Sequence, residues 1–376
     1  MISFHRRRES PPFVDLEPLR KLDGLAFFHA TLRQGLYRFF TQPSTRGKWR
    51  RALLPDYVPE GIYAPLRDAG LSIAFYPVGL DLSVDADALK SARAAQDSDV
   101  VVYIHHFGLY REDNLRAVRA ALVPGVLLIE DFALTLPNAG MDLSGDLALF
   151  SFTKMLGVAD GGLVWFRDRD LMELPLPTAS IGKQGVAVVN ERGRTLVARM
   201  AANLAFEDWI QRWRPSPRIQ ALVRRLLGKR VSYYPHLTRH YRTIDAPVSA
   251  ESLRVLESMD FEAVLSRRRE IVRLYLAGLE ARFQLGAPVE AYLRQALVAF
   301  PIQVDDQDRF HAYLAHRGFL GFRLTDSWWF QDGVRPSDLH RRHYLLPAVH
   351  YLADREIQAV IACVNGYPTR QFRALG

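Results

Sequence analysis

Two residues in the middle of the chain have side chains suited to joint chemistry. Asp131 closes an apolar run, Val126–Ile129 followed by Glu130-Asp131. Lys154 closes another, Leu147–Phe152 followed by Thr153-Lys154. Short apolar runs with polar flanks read as buried strands, and ligands of parallel α/β sheets bind at the carboxyl ends of such strands. A carboxylate and an amine at two neighbouring strand tips suit pyridoxal phosphate. The amine forms an imine with the cofactor aldehyde, and the carboxylate keeps the pyridine nitrogen protonated so that the ring can take up electrons. Ser151, beside the lysine, can hold a phosphate. Taken singly, Asp131 reads as a turn cap and Lys154 as a solvated strand-end lysine; taken together, with Gly161-Gly162 opening the next apolar run Leu163–Phe166, they favour the cofactor.

Three blocks carry a resemblance. Ile-Glu-Asp-Phe-Ala at 129–133, Gly-Asp-Leu-Ala-Leu-Phe-Ser-Phe-Thr-Lys at 145–154 and Ala-Asp-Gly-Gly at 159–162 together resemble the core of the DegT/DnrJ-type aminotransferases. The resemblance implies an α/β, fold-type I PLP-transferase with a mostly parallel central sheet and a smaller α+β C-terminal domain. It implies pyridoxal 5'-phosphate as cofactor, a homodimer, glutamate as amino donor and a keto-sugar, nucleotide-linked, as acceptor. Lys154 and Asp131 are then the catalytic pair, with Ser151 and Thr31 on the phosphate.

Further matches are weaker. Thr31-Leu32-Arg33 resembles the family's phosphate-binding turn at a helix N-terminus, although Leu32 stands where glycine is usual; an ordinary N-cap at Thr31 is the alternative. Tyr57, after Leu54-Pro55, matches the aromatic residue that stacks on the cofactor ring. His105-His106-Phe107-Gly108 resembles the family's H-x-[YF]-G, so that His105 either lines the cofactor side of the sheet or ends its strand. Leu346–His350 resembles an LP-h element, and Arg267–Arg269 resembles the family's RR-N element. Leu134 occupies the place of the family's glutamine, Ser151 to Lys154 is shorter than the common spacing, and no G-x-N-x-R loop stands between 230 and 250, where Arg239, Tyr241 and Arg242 lie instead. These departures support an alternative: a catalytically degenerate binding protein of the same fold and the same kind of polysaccharide or glycoconjugate pathway.

The elements that must position these residues alternate along the chain. Strands are expected at Ala52–Pro55, Leu71–Tyr76 and Val100–Ile104, and helices at Glu60–Asp68, Asp85–Ala95 and Leu115–Leu122, a doubly wound pattern. Residues 186–228 read as helix, with Trp209 and Trp213 among arginines. Phe261–Phe283 reads as one long amphipathic helix, and Leu297–Val304, Phe319–Leu324 and the helix after Ala353 supply the last layer. Trp328-Trp329-Phe330 walls the substrate site or packs the small domain. The boundaries are an N-terminal arm over 1–25, a large domain over 26–245 and a small one over 246–376.

Composition sets outer limits. With 376 residues, 49% hydrophobic and 24% charged, the chain can bury a sizeable core. The net charge of +8 is mostly arginine and widely spread; an arginine-rich background explains it most simply, with an anionic substrate or surface next. No helix-turn-helix, zinc spacing or RNP motif accompanies it, so nucleic acid is not expected. GxGxxG, GxxxxGK[ST] and HExxH are absent, which argues against a dinucleotide, a P-loop and a zinc protease site. Cys363 is the one cysteine, so no disulfide forms within the chain. With no signal-like N-terminus and no run of ~18 apolar residues, a cytoplasmic location is expected.

Overall fold

The computed structural model describes residues 25–138, 141–156, 158, 160–168, 171, 241–242, 248, 250–319, 322–323 and 339–368. The expected helices of 186–228, the cluster Trp328–Phe330 and all but the last residue of the N-terminal arm lie outside them.

A seven-stranded sheet is built from β1 (Leu25–His29), β2 (Arg51–Pro55), β3 (Ser72–Tyr76), β4 (Val100–Ile104), β5 (Leu127–Phe132), β6 (Leu147–Ser151) and β7 (Gly162–Phe166), in the order β1-β7-β6-β5-β4-β2-β3. β7 pairs antiparallel with both β1 and β6, while the β6-β5-β4-β2-β3 succession is parallel throughout. Helices α1 (Leu32–Thr41), α2 (Glu60–Asp68), α3 (Ala86–Gln96) and α4 (Glu112–Ala121) connect the strands. β5 and β6 are buried on both faces, as crossover helices require of a central parallel strand.

Alternate residues feed two apolar layers. Leu127, Ile129, Leu147 and Leu149 meet Leu32, Leu36 and Phe39 of α1 on one face. Leu128, Phe132, Ala148 and Phe150 face the other layer, which continues into the C-terminal part of the chain. That part carries α6 (Ala250–Ser258), α7 (Phe261–Gly278), the short α8 (Val289–Leu293), β8 (Ala299–Gln303), α9 (Gln307–His316), β9 (Phe322–Arg323), the short α10 (Leu339–Arg342), β10 (His343–Pro347) and α11 (Asp354–Asn365). Its three strands form an antiparallel sheet in the order β8-β10-β9.

The expected elements that fall within the described residues correspond, with adjustments at their ends. The long helix stops at Gly278, and Ala281–Phe283 is a separate 3₁₀ turn, because Leu279 turns extended at φ −81°, ψ 136°. The strand expected over 147–152 ends at Ser151. Phe152–Met155 coils into a single helical turn, α5, so Lys154 stands on a helix rather than on a strand-end loop.

The glycine pair is the seat of α1. Gly162 pairs with His29 on one side and Ser151 on the other. A Cβ on Gly162 would lie 2.6 Å from Leu32 Cα and from the Thr31 carbonyl carbon. The helix N-terminus therefore touches the sheet where a side chain is missing. Gly161, at φ +129°, donates to the Ala30 carbonyl at 3.0 Å and accepts from the Phe152 N–H at 3.0 Å. Gly162→Ala should force backbone against backbone and cost about 3 kcal/mol, read as a lowered melting temperature.

Candidate active site

The site grows from the end of α1. Thr31 is its N-cap: the extended backbone at φ −138°, ψ 151° turns into the helix, and the Thr31 hydroxyl accepts the Gln34 N–H at 3.2 Å. The partial positive charge of a helix N-terminus thus lies against Gly162 and its β6 partner Ser151. Ser151 shares the parity of Leu147 and Leu149, so it faces α1, and its hydroxyl lies 3.2 Å from that of Thr153. Asp131 shares the parity of Leu127 and Ile129 and faces the same way. It is 4% exposed, and one carboxylate oxygen accepts the Ala133 N–H at 2.8 Å.

Electrostatics bind these residues into one group. Burial pushes the Asp131 carboxyl above the ordinary carboxylate range, against the opposing pull of the Lys154 charge. Desolvation brings the Lys154 amine down, Asp131 works to hold it up, and the Arg33 guanidinium lowers it further. Lys154 is nevertheless exposed to solvent along its side chain. Protein atoms still crowd it closely enough that its charged form is hydrated less well than in open water. Arg33 itself lies 3.9 Å from Glu60 at the start of α2. An amine with a depressed pKa, a carboxylate, two hydroxyls, a guanidinium and a helix N-terminus are therefore gathered at one sheet edge. That donor set fits pyridoxal phosphate: an imine-forming group, a partner for a pyridinium and donors for a phosphate.

Two expected members of the site have packing partners of their own, and His105 directly follows the end of β4. His105 follows the parity of Val101 and Tyr103, on the face opposite Asp131. Its ring stacks on Phe132 with centroids 3.9 Å apart, and its Nε2 lies 3.0 Å from Glu130. Glu130 also accepts the Gly145 N–H. His105 thus closes a buried knot behind the sheet, yet it stays near enough to Asp131, whose backbone carbonyl accepts its backbone N–H at 3.1 Å, for its charge to draw the Asp131 carboxyl down. Tyr57 is fully buried, so no ring face is open for stacking. It packs 5.1 Å from His106 and 5.4 Å from His343, centroid to centroid. The Nε2–H of His343 donates to the Leu80 carbonyl at 3.0 Å, which leaves Nδ1 to accept the Tyr57 O–H at 3.1 Å. Tyr57 and His343 pin β10 to the loops that follow β2 and β3. Tyr57→Phe should leave the His343 nitrogen unpartnered and cost roughly 1–3 kcal/mol in denaturant unfolding. Leu134 packs against the apolar layer on the His105 side.

Three buried histidines set the acid limit of the fold. Burial pulls His29 and His106 down to about 3 and His343 down to about 4, from an ordinary value of 6.5. Above pH 6.5 neither the folded nor the unfolded chain protonates them. Below it, the unfolded chain takes up protons that the folded chain refuses, so each costs roughly 1.4 kcal/mol of stability per pH unit. A total stability of roughly 5–15 kcal/mol cannot absorb three such losses for long. Acid unfolding is expected between pH 6 and pH 4, at roughly pH 4.5, followed by far-ultraviolet circular dichroism.

Among the described residues no group of histidine, cysteine and carboxylate side chains is disposed to hold a metal ion, and no helix is long and apolar enough to cross a membrane. No protein-family model and no curated protein matches the chain. Solved structures do. The sugar aminotransferase CalS13 of Micromonospora echinospora is 17% identical, with 91% of this chain and 87% of that one covered at a TM-score of 0.57. The aminotransferase TlmJ of Streptoalloteichus hindustanus is 20% identical, over 93% and 88%, at 0.58. A DegT DnrJ EryC1 StrS aminotransferase of Brucella abortus is 15% identical, over 93% and 88%, at 0.57. Over nine-tenths of its length, this chain has the fold of the sugar aminotransferases.

Proposed function

We propose that the chain is a pyridoxal phosphate-dependent aminotransferase that moves an amino group from glutamate to a keto-sugar, nucleotide-linked, in polysaccharide or glycoconjugate biosynthesis, acting as a cytoplasmic homodimer. One observation carries the reading: on the fold of sugar aminotransferases, Lys154, Asp131, Ser151, Thr31 and Arg33 meet at the N-terminus of α1 and the adjoining strand ends. The lone Cys363 suits a reducing compartment.

When bound, the cofactor supplies an electron sink for a carbanion beside nitrogen. Lys154 would hold it through its amine. Asp131, ionised, would stand against the ring nitrogen and keep it protonated. Ser151 and Thr31, with the positive end of α1, would hold the phosphate, and Arg33 adds positive charge beside them. During transfer Lys154 Nζ takes the proton from the amine-bearing carbon of the donor and returns a proton to the former keto carbon of the acceptor. A base must be neutral to do this, and the desolvation that lowers the Lys154 pKa enlarges its neutral fraction. Asp131 prevents that pKa from falling so far that the amine no longer accepts a proton.

The test is the half-reaction. The protein loaded with pyridoxal phosphate and mixed with glutamate alone should release one 2-oxoglutarate per chain. The buried Tyr57 and the apolar Leu134 favour a second reading, a binding protein that retains the fold without transamination. Cofactor bound at Lys154 with no 2-oxoglutarate released is the result that selects it.

A further inference from the structure

Helix α7 buries a stripe of Phe261, Val264, Leu265, Arg268, Ile271, Val272 and Tyr275. The spacing is that of a core-facing helix, and one of its members is a guanidinium. Arg268 is only 2% exposed, yet it neighbours Leu265 and Val272. A charge at such a position is costly unless its donors are satisfied.

The two terminal nitrogens are satisfied by carbonyls from separate parts of the chain, whereas the buried Nε finds no acceptor. Nη1 donates to Leu297 at 2.9 Å and Ala348 at 3.0 Å, with Val298 at 3.3 Å. Leu297 and Val298 directly precede β8, and Ala348 directly follows β10. Nη2 donates the other way, to the Met155 carbonyl at 2.9 Å. Met155 is the last residue of α5, the single turn that carries Lys154.

A helix of one turn does not hold itself. Helix nucleation is unfavourable, and the last carbonyls of any helix lack partners within it. Within α5, the Leu156 N–H closes the turn on the Phe152 carbonyl at 2.8 Å. Arg268 supplies a partner for the carbonyl next to Lys154 and fixes it to the C-terminal sheet. The planar guanidinium fork reaches both ways at once, which a lysine ammonium cannot do. The charges that shift the Lys154 pKa are those of Asp131 and Arg33, not Arg268, so Arg268 acts on Lys154 through position.

We propose that Arg268 is a positioning residue for Lys154: one guanidinium spans the Met155 carbonyl and the carbonyls flanking β8 and β10, and so sets the place of the lysine amine. Its bearing on catalysis rests on the aminotransferase reading; the contact itself does not.

The test uses Arg268→Lys, which keeps the buried charge and can keep the Leu297 and Ala348 carbonyls while letting go of Met155. The first readout needs no cofactor. Acylation of Lys154 in the apo protein is measured against pH by mass spectrometry. In the wild type its midpoint should lie below that of an ordinary lysine. In Arg268→Lys the loosened, better hydrated amine should titrate about one pH unit higher, about tenfold less neutral amine at pH 7. In the loaded enzyme, kcat should fall about a hundredfold with KM little changed, as expected for a misplacement of about 1 Å. An unchanged Lys154 midpoint in a folded Arg268→Lys protein overturns the proposal, even with a lowered melting temperature, because it leaves Arg268 a purely structural role.

Should Arg268→Lys not fold, the wild type decides. Under sub-denaturing urea the Lys154 midpoint should move at the concentration where β10 amides lose protection from hydrogen exchange. A Lys154 midpoint unmoved at that concentration overturns the proposal. If the midpoint responds while borohydride never fixes pyridoxal phosphate to Lys154, the aminotransferase reading fails and the positioning contact stands.

Discussion

Lys154→Ala should abolish transfer to within about a ten-thousandth of the wild-type rate, since it removes both the covalent anchor and the proton carrier. The change should leave the fold intact. Lys154 is the exposed member of its turn, whereas Phe152 and Met155 on either side fill the core. The melting temperature should therefore stay within a few degrees while turnover is lost, the opposite of what a core truncation gives. Two secondary effects separate this account from a general loss of the site. The Asp131 carboxyl should titrate higher once the amine that holds it down is gone. An exogenous primary amine should restore part of the turnover, because the rest of the site remains and only the amine is missing. Rate constants with and without the added amine, beside a thermal melt, check all three.

Asp131→Asn should have the next largest effect, a loss of about a thousandfold in kcat. The asparagine can still accept the Ala133 N–H, so geometry is preserved and only the charge is lost. In the apo protein the Lys154 pKa should then fall further, since Asp131 is the group that raises it. Stability should move the other way. Burial raises the Asp131 pKa above its ordinary 3.8, so the folded state binds a proton more readily than the unfolded one. Ionised Asp131 therefore costs stability as pH rises from about 3.8 through the raised value. Asp131→Asn should melt at the wild-type temperature or higher at pH 7, and the gain should shrink as the pH falls toward the onset of acid unfolding. A more stable, inactive variant is what a group placed for function rather than for folding gives. Melts at pH 7 and at successively lower pH down to the onset of acid unfolding, with Lys154 acylation profiles, test it.

Much of this was legible in the sequence because residue type and strand position coincide. Asp131 and Lys154 follow apolar runs too short to be helices, and the sheet sets both runs side by side in parallel register, Asp131 against Leu149. The glycine pair could be read as a turn; its use as the seat of α1 depends on a contact with residues 130 positions earlier and needed the structure. His105 was unreadable for a physical reason. Val100–Ile104 is apolar at every position, so alternation gives no clue to which face the next residue takes. Tyr57 depends on His343, which the chain supplies 286 residues later. The one-turn helix under Lys154 is too short to leave a periodic signal. Arg268 is different: it occupies a core position in the spacing 261, 264, 265, 268, 271, 272, 275, visible without coordinates. Within Arg267-Arg268-Arg269 it reads as part of a basic face. Its neighbours do behave so, Arg267 pairing with Glu270 and Asp354 and Arg269 with Glu262 at the surface.

The most direct test of the central claim is the site at which pyridoxal phosphate becomes attached. The wild-type protein is saturated with the cofactor, reduced with borohydride, digested, and its modified peptides identified by mass spectrometry. One stoichiometric adduct on Lys154 is expected, absent from Lys154→Ala and accompanied in the unreduced protein by a visible absorption band that glutamate shifts. No adduct at Lys154, or substoichiometric labelling scattered over surface lysines such as Lys48 and Lys90, would contradict it.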